Sequence, residues 1–149
     1  MSLTWVFKKF EELSSAELYA IMQLRNEVFV VEQNCVYQDA DGKDPMCWHL
    51  AGWDGTNLVA YTRIISPGIA FKEASIGRVV TSPRYRRTGA GRKLMEESIS
   101  RTFHLFNCSE IKIGAQLYLT RFYQSLGFRQ TSPEYLEDGI PHIEMILSK

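Results

Sequence analysis

Cysteine is scarce in this sequence and net charge is absent. Only 3 of the 149 residues are cysteine, at Cys35, Cys47 and Cys108. They form no CxxC pair and leave one over, which argues against a disulfide framework and fits a reducing compartment. Cys47 and His49 lack a second ligand pair at zinc spacing, so no metal site is expected. Lys and Arg number 17 and so do Asp and Glu, so no chain-wide field is available to hold a nucleic acid or an anionic membrane. No apolar run reaches the roughly 18–20 residues of a membrane helix. Met1–Phe10 carries no basic start followed by a long apolar stretch, so no secretory signal is read there and a cytoplasmic location is expected. Proline, serine and glycine are nowhere dense enough to mark a linker, and no repeat divides the chain. With 45% hydrophobic, 12% aromatic and 23% charged residues, residues 1–149 are expected to form one globular domain.

Periodicity supplies the elements. Trp5–Phe10 reads as a strand. Ser14-Ser15-Ala16-Glu17 has the Ser-x-x-Glu form of a capping box, and Leu18, Ile21, Met22, Arg25, Val28 and Phe29 follow at helical spacing, so a helix is expected over about 15–30. Glu32–Pro45 is polar and aperiodic, a loop with room for one short helical turn. Its Asp39, Asp41 and Asp44 lack the glycine and the final ligand of a calcium loop and are expected to serve turn chemistry. Trp48–Trp53 and Leu58–Ile65 flank Asp54-Gly55-Thr56-Asn57 as a hairpin. Ser75–Thr81 is a further strand, stopped by Pro83. Gly89–Phe106 is a long amphipathic helix, Ile111–Ala115 a strand, Leu117–Leu126 a helix closed by Gly127, and Phe128–Thr131 and Ile140–Leu147 the last strands. Antiparallel hairpins followed by a β-α-β crossover require a mixed α/β sheet.

The densest chemical signal runs from Val79 to Leu94. There a strand passes through a basic, glycine-containing turn into a helix. Gly89 and Gly91 allow close approach of main-chain N–H groups, and the helix N-terminus adds about half a positive charge. Arg84, Arg86, Arg87, Arg92 and Lys93 surround the turn. The spacing fits neither the Walker loop GxxxxGK[ST] nor the dinucleotide fingerprint GxGxxG. Taken alone, a GxG turn beside arginines can equally be a shaped turn on a solvated face.

Two motifs in order carry more. Arg86-x-x-Gly89-x-Gly91 after a strand and a proline resembles motif A of the GNAT superfamily of acetyl-CoA-dependent N-acetyltransferases. Phe122-Tyr123-Gln124-Ser125-Leu126-Gly127-Phe128 is similar to the Tyr-x-x-x-Gly-Phe ending of its motif B. Val30–Asn34, Tyr37–Asp39, Ile76–Val79, Ala115-Gln116 and Asp138–Ile143 resemble the ElaA-type branch. The resemblance implies a six- or seven-stranded mixed sheet flanked by helices, splayed between Ser75–Thr81 and Ile111–Ala115, with acetyl-CoA in the gap. Val79, Val80 and Thr81 would then pair with the pantetheine arm and offer a main-chain oxyanion donor. Arg86, Arg87, Thr88, Gly89, Ala90, Gly91 and Arg92 would form the pyrophosphate turn. Gln116 stands where many members have Asn. Tyr123 corresponds to the residue that many members use to protonate the departing thiolate, and a phenol suits that task, although its helical face is also apolar.

For the base that must deprotonate an acceptor ammonium, the candidates are Glu32, His49, Glu73 and His142, with His142 and Glu32 preferred and a water chain as the alternative. No cysteine sits beside a histidine in a nucleophilic motif. The expected partners are acetyl-CoA and a small-molecule or peptide amine, with neither metal nor nucleic acid nor membrane, and with a homodimer compatible. A CoA-binding module with little turnover is the competing reading. Because Glu32–Asp44 and Glu134–Asp138 are acidic, a cationic acceptor is expected.

Overall fold

The computed structural model describes residues 2–149. Strand β1 (Thr4–Lys9) is followed by helix α1 (Ser15–Arg25). Ser14 and Glu17 close the expected capping box, with the Glu17 amide donating to Ser14 Oγ at 3.1 Å and the Ser14 amide donating to Glu17 Oε1 at 2.8 Å. Beyond Arg25 the coil widens into a π-helix over Asn26–Glu32. The expected helix over 15–30 is thus present in two geometries, and widened turns of this kind gather at functional sites. A single helical turn at Asp44–Met46 breaks the loop that follows.

Strands β2 (Trp48–Asp54), β3 (Asn57–Ile65) and β4 (Ser75–Thr81) complete a first antiparallel sheet in the order β1-β2-β3-β4. Helix α2 (Ala90–Phe106) crosses to β5 (Glu110–Gln116), which opens a second sheet. There β8 (Ile140–Ser148) is central, with β5 on one side and β6 (Arg129–Gln130) and β7 (Tyr135–Glu137) on the other. The short helix α3 (Thr120–Ser125) lies between β5 and β6. The two sheets meet in one parallel bridge, Ala74 to Ile111, with the Lys112 amide donating to the Ala74 carbonyl at 2.9 Å. Past that bridge no ladder joins β4 to β5 among the described residues. The mixed sheet therefore splays where the resemblance implied.

Packing holds the splay open. Leu50, Ile64, Leu94, Met95, Ile111, Ile113, Ile143 and Met145 form one buried core that wedges α2 against both sheets. Thr62 Oγ1 pins α2 to β3 through Ser98 Oγ at 2.8 Å, while Ser98 Oγ donates to the Leu94 carbonyl at 2.7 Å. A second cluster of Ile21, Leu24, Val28, Tyr61 and Val80 seats α1 on the opposite face of the first sheet. Among the described residues no helix is long and apolar enough to cross a membrane.

Candidate active site

An open cleft of about 980 Å³ occupies the splay. Of the fourteen residues expected at the site, the cleft gathers twelve and leaves two aside. Glu32, Val79, Val80, Thr81, Arg86, Arg87, Gly89, Ala90, Gly91, Gln116, Tyr123 and His142 all line it. Thr88 and Arg92 do not. Thr88 Oγ1 donates to the Tyr85 carbonyl at 2.5 Å, and Arg92 turns to the end of α3, donating to Ser125 Oγ at 3.0 Å. In this arrangement both side chains brace the turn.

The β4 wall has a bulge. Tyr61 faces Val80 and Arg63 faces Gly77, which leaves Arg78 and Val79 outside the β3 ladder, and Arg78 has φ +49°. A bulge re-aims main-chain groups, here at the widening of the splay. Downstream, Arg87 and Gly89 have φ of +63° and +84°. Gly89 is the N-cap of α2 and no side chain caps that helix. The first helical acceptor is used only by the Lys93 amide, which donates to the Gly89 carbonyl at 3.2 Å, so the amides of Ala90, Gly91 and Arg92 have no partner within the helix. A Cβ at Gly91 would lie 3.5 Å from Thr81 Oγ1, an ordinary contact.

The π-helix and its continuation roof the cleft. Arg86 Nη1 donates to Glu32 Oε2 at 2.8 Å, and Arg86 Nη2 donates to Glu32 Oε1. Gln33 Nε2 donates to Gln116 Oε1 at 3.4 Å, and Cys35 Sγ donates to the Asp138 carbonyl at 3.3 Å. The Arg86 guanidinium holds the Glu32 carboxyl below its ordinary range, which weakens Glu32 as a base in this arrangement.

The opposite wall is the polar face of the second sheet. On β5, Ile111, Ile113 and Ala115 enter the core, so Lys112, Gly114 and Gln116 turn the other way. On β8, Ile143, Met145 and Leu147 enter it, so His142 and Glu144 share that polar face. His142 is 6% exposed, and its Nδ1 lies 2.7 Å from the Ile140 carbonyl. A carbonyl can only accept, so Nδ1 carries a proton, and in the neutral ring the lone pair is on Nε2. His49 is disposed differently. Its Nε2 donates to the Asp44 carbonyl at 3.0 Å and its Nδ1 accepts from Tyr61 at 2.6 Å. Burial lowers its pKa, and it lies outside the cleft lining, as does Glu73.

Tyr123 is 4% exposed and stands edge-on to Phe122 and Phe128, with ring centroids 5.3 and 5.8 Å away. Burial raises its phenol pKa. Its apolar surroundings and its place on the cleft both hold: the ring is core, and the side chain also borders the splay.

The acidic loop corrects an expectation. Arg25 Nε and Nη1 reach Asp39 and Asp44 at 2.7 Å each; Arg63 Nη1 reaches Asp41 at 2.9 Å and Asp44 at 3.0 Å; Arg78 Nε reaches Asp39 at 2.9 Å. Asp41 does serve turn chemistry, accepting the Lys43 amide at 3.0 Å, but all three aspartates are neutralised by α1, β3 and β4 rather than left to attract a ligand. Sequence reading could not assign those arginines, because the contacts join residues 14 to 22 positions apart or more. It took Glu137 only as part of the acidic Glu134–Asp138 segment and passed over Tyr135; the β7–β8 pairing brings both beside His142.

A family model described as an acetyltransferase (GNAT) domain matches residues 12–149. The chain belongs to the GNAT acetyltransferase family. This GNAT chain is 43% identical to Protein ElaA of Escherichia coli over 145 residues, covering 96% of this chain and 95% of that protein. The crystal structure of Escherichia coli ElaA superposes with a TM-score of 0.92 at 41% identity, covering 99% of this chain and 100% of that one. An acyl-CoA N-acyltransferase from Pseudomonas aeruginosa superposes with a TM-score of 0.93 at 41% identity, again covering 99% and 100%. The ElaA-like GNAT fold accounts for the splayed sheet, and the family's chemistry is acyl transfer from acyl-CoA.

Proposed function

We propose that the protein, acting as one domain over residues 1–149, transfers acetyl from acetyl-CoA directly to an amine. The observation that carries this reading is the uncapped N-terminus of α2 at the end of the splay, where Gly89 at φ +84° leaves the Ala90, Gly91 and Arg92 amides without helical partners. Such amides and the helix dipole suit a pyrophosphate. Arg86 and Arg87 add charge beside them. The free edge of β4 suits an extended amide-bearing arm, with the bulged Val79 and neighbouring Val80 and Thr81 offering main-chain groups, and Gln116 facing them from β5. A thioester supplies the acyl carbon and the leaving sulfur.

The residues then divide the proton work. His142 Nε2, held as a lone pair by the Nδ1 hydrogen bond, takes a proton from the acceptor ammonium. The freed amine attacks the carbonyl, the C–N bond forms, and a main-chain N–H of the β4 bulge supports the developing oxyanion. As the C–S bond breaks, Tyr123 donates its hydroxyl hydrogen bond and then its proton to the sulfur. The second nitrogen proton leaves to solvent, and Tyr123 is reprotonated. Glu32 becomes an alternative base only if Arg86 lets it go. The preference for a cationic acceptor, a small amine or a Lys-bearing peptide, now rests on Glu137 and Asp138 rather than on the neutralised loop.

The test is release of CoA thiol from acetyl-CoA across a panel of amines, paired with calorimetric binding of CoA. Tight binding with thiol release for at least one amine supports the reading. Tight binding with no release across the panel favours a CoA-binding module.

A further inference from the structure

Beside His142 lie Tyr135 and Glu137, to which the acyl-transfer steps above assign no part. Glu137 Oε2 is 3.6 Å from His142 Nε2, too far for a hydrogen bond and near enough for one ammonium to touch both. His142 itself is nine-tenths buried, and the structure gives its Nε2 no hydrogen bond among the described residues. The Tyr135 ring lies nearly flat against the imidazole, with centroids 5.9 Å apart and planes 29° apart. Its hydroxyl rests on Gly114, where a Cβ would come within 2.9 Å of it. Any side chain at position 114 would push Tyr135 off this floor and loosen the imidazole it covers.

The charges around this spot are of one sign. Glu137 is half exposed, and among the described residues its one ion pair is with His142. Asp138 lies next to it on the cleft, and Glu144, further along the same face, is shared with Lys112 at 3.1 Å. Three of the cleft arginines that could offset them are engaged. Arg63 and Arg78 hold Asp39, Asp41 and Asp44, and Arg86 holds Glu32. Lys43 stands on the cleft from the far loop. An ammonium is welcome here, and a carboxylate on the carbon bearing it would meet Glu137, while Arg87, the cleft arginine outside these ion pairs, sits at the α2 turn that the acyl-transfer reading gives to the phosphates.

We propose that Glu137 receives the acceptor ammonium and delivers it to His142 Nε2, that Tyr135 is a positioning residue for His142, and that the acceptors are primary amines lacking a carboxylate next to the nitrogen. This rests on the acyl-transfer reading and extends it to a substrate class. Glu137 acts by binding, so it is realised chiefly in KM, whereas loss of the base is realised in kcat.

The experiment uses the full chain loaded with CoA or acetyl-CoA and a matched pair of acceptors, phenethylamine and phenylalanine. Calorimetry follows amine binding to the CoA-loaded protein, and thiol release follows turnover. Wild type is expected to prefer phenethylamine by at least 10-fold in both. E137Q, a surface change that spares the fold, is expected to raise the phenethylamine KM and dissociation constant about 5- to 10-fold with kcat within about 3-fold, and to bring the two acceptors close together. H142Q is expected to lose kcat at pH 7 and to recover it towards pH 10, as a growing fraction of the amine loses its proton to solvent. Y135F should behave as wild type if the stack positions the imidazole, whereas Y135A should lower kcat. Unchanged phenethylamine affinity in E137Q, or equal binding of phenylalanine by wild type, overturns the proposal even when thiol is released. If no thiol is released, acyl transfer to these amines fails, while the binding arm still decides Glu137.

Discussion

Replacing Arg25 with methionine removes the centre of the buried charge network at nearly constant volume. Arg25 is fully buried and donates three hydrogen bonds, to Asp39 Oδ2 and Asp44 Oδ1 at 2.7 Å and to the Asp39 carbonyl at 3.0 Å. Its guanidinium also lies 5.9 Å from the Tyr61 ring centroid. In the intact network three arginines face three aspartates. The variant leaves one uncompensated negative charge beside Asp39 and Asp44, which are both buried. Removing one partner of a buried pair costs about 3–5 kcal/mol. Asp39 keeps Arg78 and Asp44 keeps Arg63, so the expected cost is about 3 kcal/mol, at the low end. For a chain of this size that lowers Tm by roughly 6–12 °C. Urea unfolding followed by circular dichroism, with the slope unchanged, measures the loss. Asp39→Asn alone and combined with Arg25→Met completes a cycle, and the double variant should be less destabilised than the sum of the singles. A loss below about 1 kcal/mol in Arg25→Met, or strict additivity, would refute the view that the network holds the 39–44 loop against α1 and β3.

Stability should also fall in acid. Burial works to raise Asp41, but Arg63, the Lys43 amide and Arg78 outweigh it and bring its pKa down from 3.8 to about 2, and Asp44 is likewise lowered by Arg25 and Arg63 against burial. Carboxyls depressed in the folded state contribute stability above their unfolded value that disappears as pH drops through the folded one, so the urea midpoint should decline between about pH 4 and pH 2; a flat profile there would contradict it. Tyr123→Phe should reduce turnover by about 10²–10⁴-fold with CoA affinity nearly intact, and unchanged thiol release would return Tyr123 to a packing role. Gly91→Asp sets a carboxylate at the α2 amides and should weaken CoA binding at least 10-fold by calorimetry, whereas Gly91→Ala, whose Cβ has room, should bind as wild type; equal affinity of the Asp variant would remove the turn from the phosphate site.

Local chemistry made much of this molecule readable in one dimension. The Ser14–Glu17 capping box, the turn at Asp54–Asn57, the proline after Thr81 and the glycines at 89 and 91 act over a few residues, and the spacing from Arg86 to Gly91 and from Tyr123 to Phe128 is itself the family signal. Those features determine where elements begin and end, because caps, turns and helical faces are satisfied by near neighbours. The widening of the first helix beyond Arg25 was not legible, since both coils present similar side chains and the choice depends on how the chain packs. Tertiary structure alone decided which charges are spent. Asp39, Asp41 and Asp44 look like an exposed acidic loop until Arg25, Arg63 and Arg78 arrive from three separate elements. Likewise His142 gained its tautomer from its own strand, at Ile140, but gained Tyr135 and Glu137 only through the β7–β8 hairpin, and its place opposite Gln116 only through pairing with β5. A titratable group's role depends on the few ångströms around it, and in a mixed sheet those neighbours come from residues distant in the chain.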